Sequence, residues 1–413
     1  FTGTLIVGGN LTLTTGVLEA GTVSVVGNVV VANTTLPTDG AGILSLSSAG
    51  GQTLNSGGQS GKVPYLTINK PSGTVDASAS GALGMLTFTL TSGTFTAPSA
   101  AITASSFAMT GGTFNHGNGT IRATHYPFLA SNTTLQFGSG ALYNLLFDSE
   151  DIYPDHTYDL TGTADVDGTL TLTKVGGISG GNILLSGNLV STDTVVAGTT
   201  TLTFDGAAAQ TVTMTSADIP DGDITINKTA AGNTVTLASN ATWNGAGQDL
   251  TITQGTFSQG ASFNLLTGLI TVGANGTWSN LGTGDITLGG NVSNAGAINL
   301  NANGVGCTTD DIAITSTAGQ RTWSGAGSFT LTDLNVTNQG GSMTAYSSTN
   351  TSGNGWTFNA GCIYTISGTC YTDEGITTMG SGRAVAIKVN GAGTYTANTN
   401  GSGVYTIPNI AAA

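Results

Sequence analysis

Positive charge is what this sequence most lacks. Its 413 residues include 8 Lys and Arg against 22 Asp and Glu, and charged residues make up 7% of the chain, where an average soluble domain carries about 25%. Eight scattered bases cannot form a strip that tracks phosphates, which excludes nucleic acid as a partner. The same shortage removes attraction to an anionic membrane surface. Glu occurs only as Glu19, Glu150 and Glu374, so Lys, Arg and Glu are all rare. Without these helix-surface residues, an α-helical or α/β protein is excluded. Long apolar runs are also missing. No window approaches the roughly 18 residues that a membrane-crossing helix needs, so membrane insertion is not expected. Proline is scarce, at 8 residues, and Gly has no three-residue period, which excludes collagen.

Cysteine is sparse as well: Cys307, Cys362 and Cys370. An odd count in an exported protein fits one disulfide and one free thiol. Loop closure favours the near pair Cys362–Cys370, with three buried thiols as the alternative. The chain opens Phe1-Thr2-Gly3-Thr4, already in a strand-like pattern. A mature or excised piece of a longer precursor is expected from this.

Gly, at 64 residues, leads what is present, with Thr, Ser, Asn, Val and Ile beside it. This is strand and turn chemistry. The apolar fraction of 38% falls in regular short runs, unlike a disordered chain. One phrase returns along the chain: an alternating run, a glycine, then an apolar residue. Leu11-Thr12-Leu13-Thr14 precedes Gly16 and Leu18. Phe88-Thr89-Leu90-Thr91 precedes Gly93 and Phe95. Leu170-Thr171-Leu172-Thr173 precedes Gly176 and Ile178, and Leu250-Thr251-Ile252-Thr253 precedes Gly255 and Phe257. A fifth, degraded copy starts at Leu331. Successive starts lie about 80 residues apart, and a finer step of about 20 residues separates the Gly-Thr-Phe and Gly-Thr-Trp pieces inside these units. A second phrase carries Gln52, Gln210 and Gln320, each followed at one constant spacing by an alternating strand. These strands are Leu66–Lys70, Ile224–Lys228 and Leu334–Asn338.

Short period-two strands repeated every ~20 residues predict an all-β fold, a parallel β-solenoid (β-helix) over residues 1–361. Stacked coils bury one continuous core, with Leu, Ile, Val and Phe inward and Thr outward. At ~20 residues per coil, about 18 coils are expected. A tandem array of sandwiches and an outer-membrane barrel are the competing all-β readings. The recurrent aromatics Phe95, Phe114, Trp243, Phe257, Trp278, Trp323 and Trp356 are expected to stack inward, with a sugar-binding platform as the alternative.

The Leu-Thr-Ile-Thr-x-Gly-Thr-Phe phrase, the Gln-Thr turn and the Ile-Thr-Ile-Asn-Lys strand resemble the degenerate repeats of large bacterial surface proteins. These are the filamentous-haemagglutinin-like and autotransporter-adhesin-like β-helix proteins. The resemblance implies an exported, fibrous, non-enzymatic protein. Residues 362–413 differ in character. Val385-Ala386-Ile387-Lys388-Val389-Asn390-Gly391 and Gly403-Val404-Tyr405-Thr406-Ile407 resemble the carboxypeptidase-regulatory-like β-sandwich modules of such proteins. The pattern stops at Ile410, short of the strands a full sandwich needs. An incomplete module therefore predicts strand exchange through Val385, Ile387, Val389, Tyr405 and Ile407.

Candidate chemistry is thin. Seven of the acids fall between Asp148 and Asp167. Asp165-Val166-Asp167-Gly168 resembles half of a calcium loop, and Asp218, Asp221 and Asp223 around Pro220 and Gly222 form a second set. Calcium is the cofactor these sets would take, and a solvated acidic loop is the alternative. His116, Arg122, His125 and His156 match no metal spacing, and a solvent-facing or loop role is expected for them. Asp310-Asp311 is an adjacent carboxylate pair without the basic residues an acidic sugar would need. No catalysis is expected. The leading function is a structural subunit of an extracellular filament or surface adhesin, assembled head-to-tail from copies of itself, with surface glycans as a further partner class. The alternative is a secreted β-helix that binds or cleaves carbohydrate; ice binding, suggested by the Thr-x-Thr runs, is a third.

Overall fold

The computed structural model describes the chain except for residues 1, 17, 34–41, 59–60, 126–132, 139, 150–155, 195, 216–217, 244–247, 303–311, 360–362, 390 and 412–413. The fold is all-β, with no α-helix among the described residues, and the parallel strands form a β-solenoid of about 14 turns. Two compact units divide the chain, Phe1–Thr256 and Phe257–Ala413.

In the first unit an inward ladder runs through Val23, Leu44, Leu66, Phe88 and Phe107, each paired in register with the next. Its next rung is Leu135, reached by a visibly longer stretch of chain. Another ladder joins Ala164, Ile183, Leu202, Ile224 and Leu250. Many coils thus exceed the ~20 residues expected from the repeat phrases. The solenoid accordingly has fewer turns than those phrases predict, about 14. The phrases mark only strands and tight turns, while the extra residues sit in the connections that the ladder skips.

Burial follows the period-two pattern. In Thr22–Val25 and Thr201–Phe204 every second residue is buried. Each fully buried Leu, Ile, Val or Phe contributes about 1.5–3 kcal/mol, so one short strand supplies only a few kcal/mol. No coil is stable alone; the stack makes the core. Three glycines of the repeated phrase take left-handed backbone, Gly16 in a bend and Gly93 and Gly255 within the strands Leu83–Thr96 and Leu250–Ser258, with φ of 94°, 84° and 100°. A side chain is disfavoured in that left-handed region, which explains the glycine in these three copies of the phrase.

In the second unit, ladders join Leu265, Ile286, Ile314 and Val336, and Trp278, Ile298 and Phe329. Parallel pairing runs as far as Thr344–Tyr346 on Thr357–Asn359. From Ile363 onward the pairing is antiparallel. Ile363–Thr369 pairs with Val404–Ala411, and Ala384–Val389 pairs with Ala392–Asn398.

Candidate functional site

The acidic pairs lie outside the core. Asp165 is half-buried on the strand Thr163–Val166, whose Ala164 and Val166 point inward. Burial raises its carboxyl above the ordinary Asp value, and the charges of Asp167 and Asp205 add to that. Asp167 is exposed and stands 3.6 Å from His116 Nε2. Asp221 and Asp223 are exposed before the strand Ile224–Asn227, and Asp223 Oδ1 accepts the Asp249 N–H at 3.1 Å. No group of three or more His, Cys, Asp or Glu side chains that could hold a metal forms among the described residues. Asp310 and Asp311 lie outside the described residues, as do Cys307 and Cys362, so the Cys362–Cys370 bridge does too. Cys370 is half-buried.

His116, His125 and His156 lie outside the strands, as a loop role requires, while Arg122 sits on the strand Thr120–Ala123; only His125 departs from a solvent-facing position. His125 is 7% exposed, and its ring lies over that of His156 with centroids 3.7 Å apart. Thr133 Oγ1 is 2.7 Å from His156 Nε2, and Arg122 Nη2 donates to Asp148 Oδ2 at 2.8 Å. The strand Thr120–Ala123 turns Ile121 and Ala123 inward, and the chain continues straight into buried His125.

The seven recurrent aromatics are all buried, from 0% exposed at Phe95, Trp243, Phe257 and Trp278 to 6% at Phe114 and Trp356. Phe114 stacks on Phe95 at 5.9 Å, and Trp323 on Trp278 at the same distance. These rings are interior packing, out of reach of a sugar. Beside them is a cavity of about 190 Å³, lined by Leu90, Met109, Phe114, Phe137 and glycine backbone. None of these lining residues is titratable.

The glutamine phrase builds a polar arrangement in the interior that recurs with the same parts. Gln52 is 3% exposed and Gln210 1%. Gln52 Nε2 donates to the carbonyls of Val25 and Gly27, at 3.0 and 2.7 Å. Gln210 Nε2 does the same to Leu185, at 2.6 Å, and to Gly187. Each Oε1 accepts from a lysine at the end of the following Thr-rich strand: Lys70 Nζ lies 2.6 Å from Gln52 Oε1, and Lys228 Nζ bonds Gln210 Oε1 and the Asp205 carbonyl. Glycine is required above both lysine stems. A Cβ on Gly93 would lie 2.8 Å from Lys70 Cβ, and one on Gly255 would lie 2.5 Å from Lys228 Cγ. In the third copy Gln320 is exposed, and Asn338, at φ 57°, occupies the lysine position. The repeat of Gln and of a Lys-ended strand is visible in the sequence. Their contact is not, since it depends on one coil returning the chain directly above the last.

Of the residues expected to exchange strands, Val385, Ile387, Val389 and Tyr405 are half-buried, and Ile407 is 2% exposed. Val385, Ile387 and Val389 form one row on Ala384–Val389, alternating with exposed Ala384, Ala386 and Lys388. Ile376 nearby in sequence is 85% exposed.

Comparison with known protein families, curated proteins and solved structures found no match to this chain.

Proposed function

We propose that the chain is a structural subunit of an extracellular filament or cell-surface fibre or adhesin, joined to copies of itself by β-strand contacts. The observation that carries this reading is the row Val385, Ile387 and Val389, half-exposed on a two-stranded antiparallel pair. A two-stranded pair is marginal alone and offers unpaired edges. A second copy suits it by charge as well: Arg383 precedes the row and Lys388 stands on the other face of the same strand, two of the 8 bases, and the chain as a whole carries −14.

Electron microscopy of the purified full chain tests the proposal. Fibres with a regular axial repeat are expected, and Ile387→Asp or Val389→Asp should leave circular dichroism unchanged while abolishing them. A wild-type chain that stays monodisperse at all concentrations, or fibres indifferent to both substitutions, overturns it. Saturable glycan binding by such a monodisperse chain would favour the carbohydrate alternative.

A further inference from the structure

Lys70 and Lys228 are two of the few lysines in the chain, yet they are 1% and 2% exposed. A buried ammonium is normally neutralised by a carboxylate or shared among several acceptors. The side-chain ion pairs among the described residues are His116–Asp167 and Arg122–Asp148, and neither lysine belongs to one. Each amine instead faces the carboxamide of a glutamine on the preceding coil. Backbone carbonyls of the coil below fix each carboxamide through its Nε2, and a positive-φ glycine lies against each lysine stem. Amine and carboxamide are therefore held together with little freedom, the condition under which an intramolecular reaction gains most.

We infer that Gln52–Lys70 and Gln210–Lys228 are sites of intramolecular amide cross-linking, each tying two successive coils through their side chains. In the step, lysine Nζ bonds to glutamine Cδ and the Cδ–Nε2 bond breaks. Nε2 leaves as ammonia, taking its extra proton from the attacking amine. Ammonium and carboxamide give a secondary amide and an ammonium ion, so no oxidant, cofactor or outside reactant is consumed. The buried positive charge disappears with the reaction. Burial holds both amines below the ordinary lysine value, although the Asp205 charge opposes this at Lys228. The unprotonated amine is the nucleophile. The third phrase is an internal control, because Asn338 replaces the lysine there and Gln320 is exposed. This inference is independent of the filament proposal; it concerns the isolated chain.

Mass spectrometry of the full chain, denatured and then digested, tests it. The expected intact mass lies below the sequence value by two ammonia molecules. The digest should hold two linked peptide pairs, one joining Gln52 to Lys70 and the other Gln210 to Lys228. Lys70→Met and Lys228→Met should each restore one ammonia mass and remove only their own linked pair. A wild-type chain at full sequence mass, with both lysines open to an amine-reactive reagent after denaturation, overturns the inference. So does ammonia loss that maps to asparagines and not to linked peptides. A single linked pair overturns it for the other site.

Discussion

Phe114 lies on Phe95 with ring centroids 5.9 Å apart and planes 25° apart, and Phe88 meets both rings, at 5.2 Å from Phe95 and 6.2 Å from Phe114. Phe114 belongs to the coil after that of Phe88 and Phe95, so its contacts tie one coil to the next. Phe95→Ala should cost about 3–5 kcal/mol, the usual range for emptying a buried aromatic site. Thermal unfolding would register the loss. Hydrogen exchange should show it centred on Leu83–Thr96 and Thr113–Asn115, because each coil leans mainly on its neighbours.

Gly255 and Gly232 separate two causes of glycine retention. Gly255 has φ 100° and no room above Lys228, whereas a Cβ on Gly232 would meet nothing within 4 Å. Gly255→Ala should therefore destabilise by about 1–3 kcal/mol from backbone strain, with the lysine contact added. Gly232→Ala should be close to neutral. Paired melting curves of the two variants decide the matter; equal shifts would contradict the geometry.

Asp165 bears on pH dependence. Its carboxyl is held above the ordinary Asp value by burial first, then by Asp167 and Asp205. The folded chain thus binds this proton more readily than the unfolded chain. Stability is lost as pH rises from about 3.9, the unfolded value, through the raised folded one. Asp165→Asn removes that cost. It should raise the melting temperature at about pH 7 and give no gain well below about pH 3.9. A variant that melts lower at neutral pH would show that the charge is compensated.

The Arg122–Asp148 ion pair, at 2.8 Å with side chains 24% and 22% exposed, is open enough to be screened. Arg122→Met should cost no more than about 1 kcal/mol through the ion pair, and less in high salt. Melting curves of the variant at low and high ionic strength check this.

The fold is legible where strands carry a period of two. Leu250-Thr251-Ile252 and Leu11-Thr12-Leu13 read as inward-outward strands and form them, and the Phe and Trp of the phrase are interior. The turn number is not legible, because connections of varied length carry no pattern of their own. The partnership of His125 and His156 is hidden for a related reason. The two are distant along the chain, and only the stacking of coils brings the rings together. Spacing singles out Gln52 and Gln210, but a buried lysine at the end of a Thr-rich strand violates the usual preference of lysine for the surface. Composition alone points such a residue outward.

The stretch of chain from Phe107 to Leu135 is longer than that from Phe88 to Phe107, yet each residue seats on the one before it. The ladder thus keeps its register across stretches of different length, although residues between its rungs, such as Phe114, pack against it. Lengthening a flexible connection is cheap, about 0.6 kcal/mol for each doubling, while shifting a rung by one residue would turn its apolar face outward. The architecture separates a fixed grammar from free text. A foreign epitope or a small folded tag inserted in one connection should be displayed without retuning its neighbours, and successive coils are free to diverge outwardly while sharing one interior.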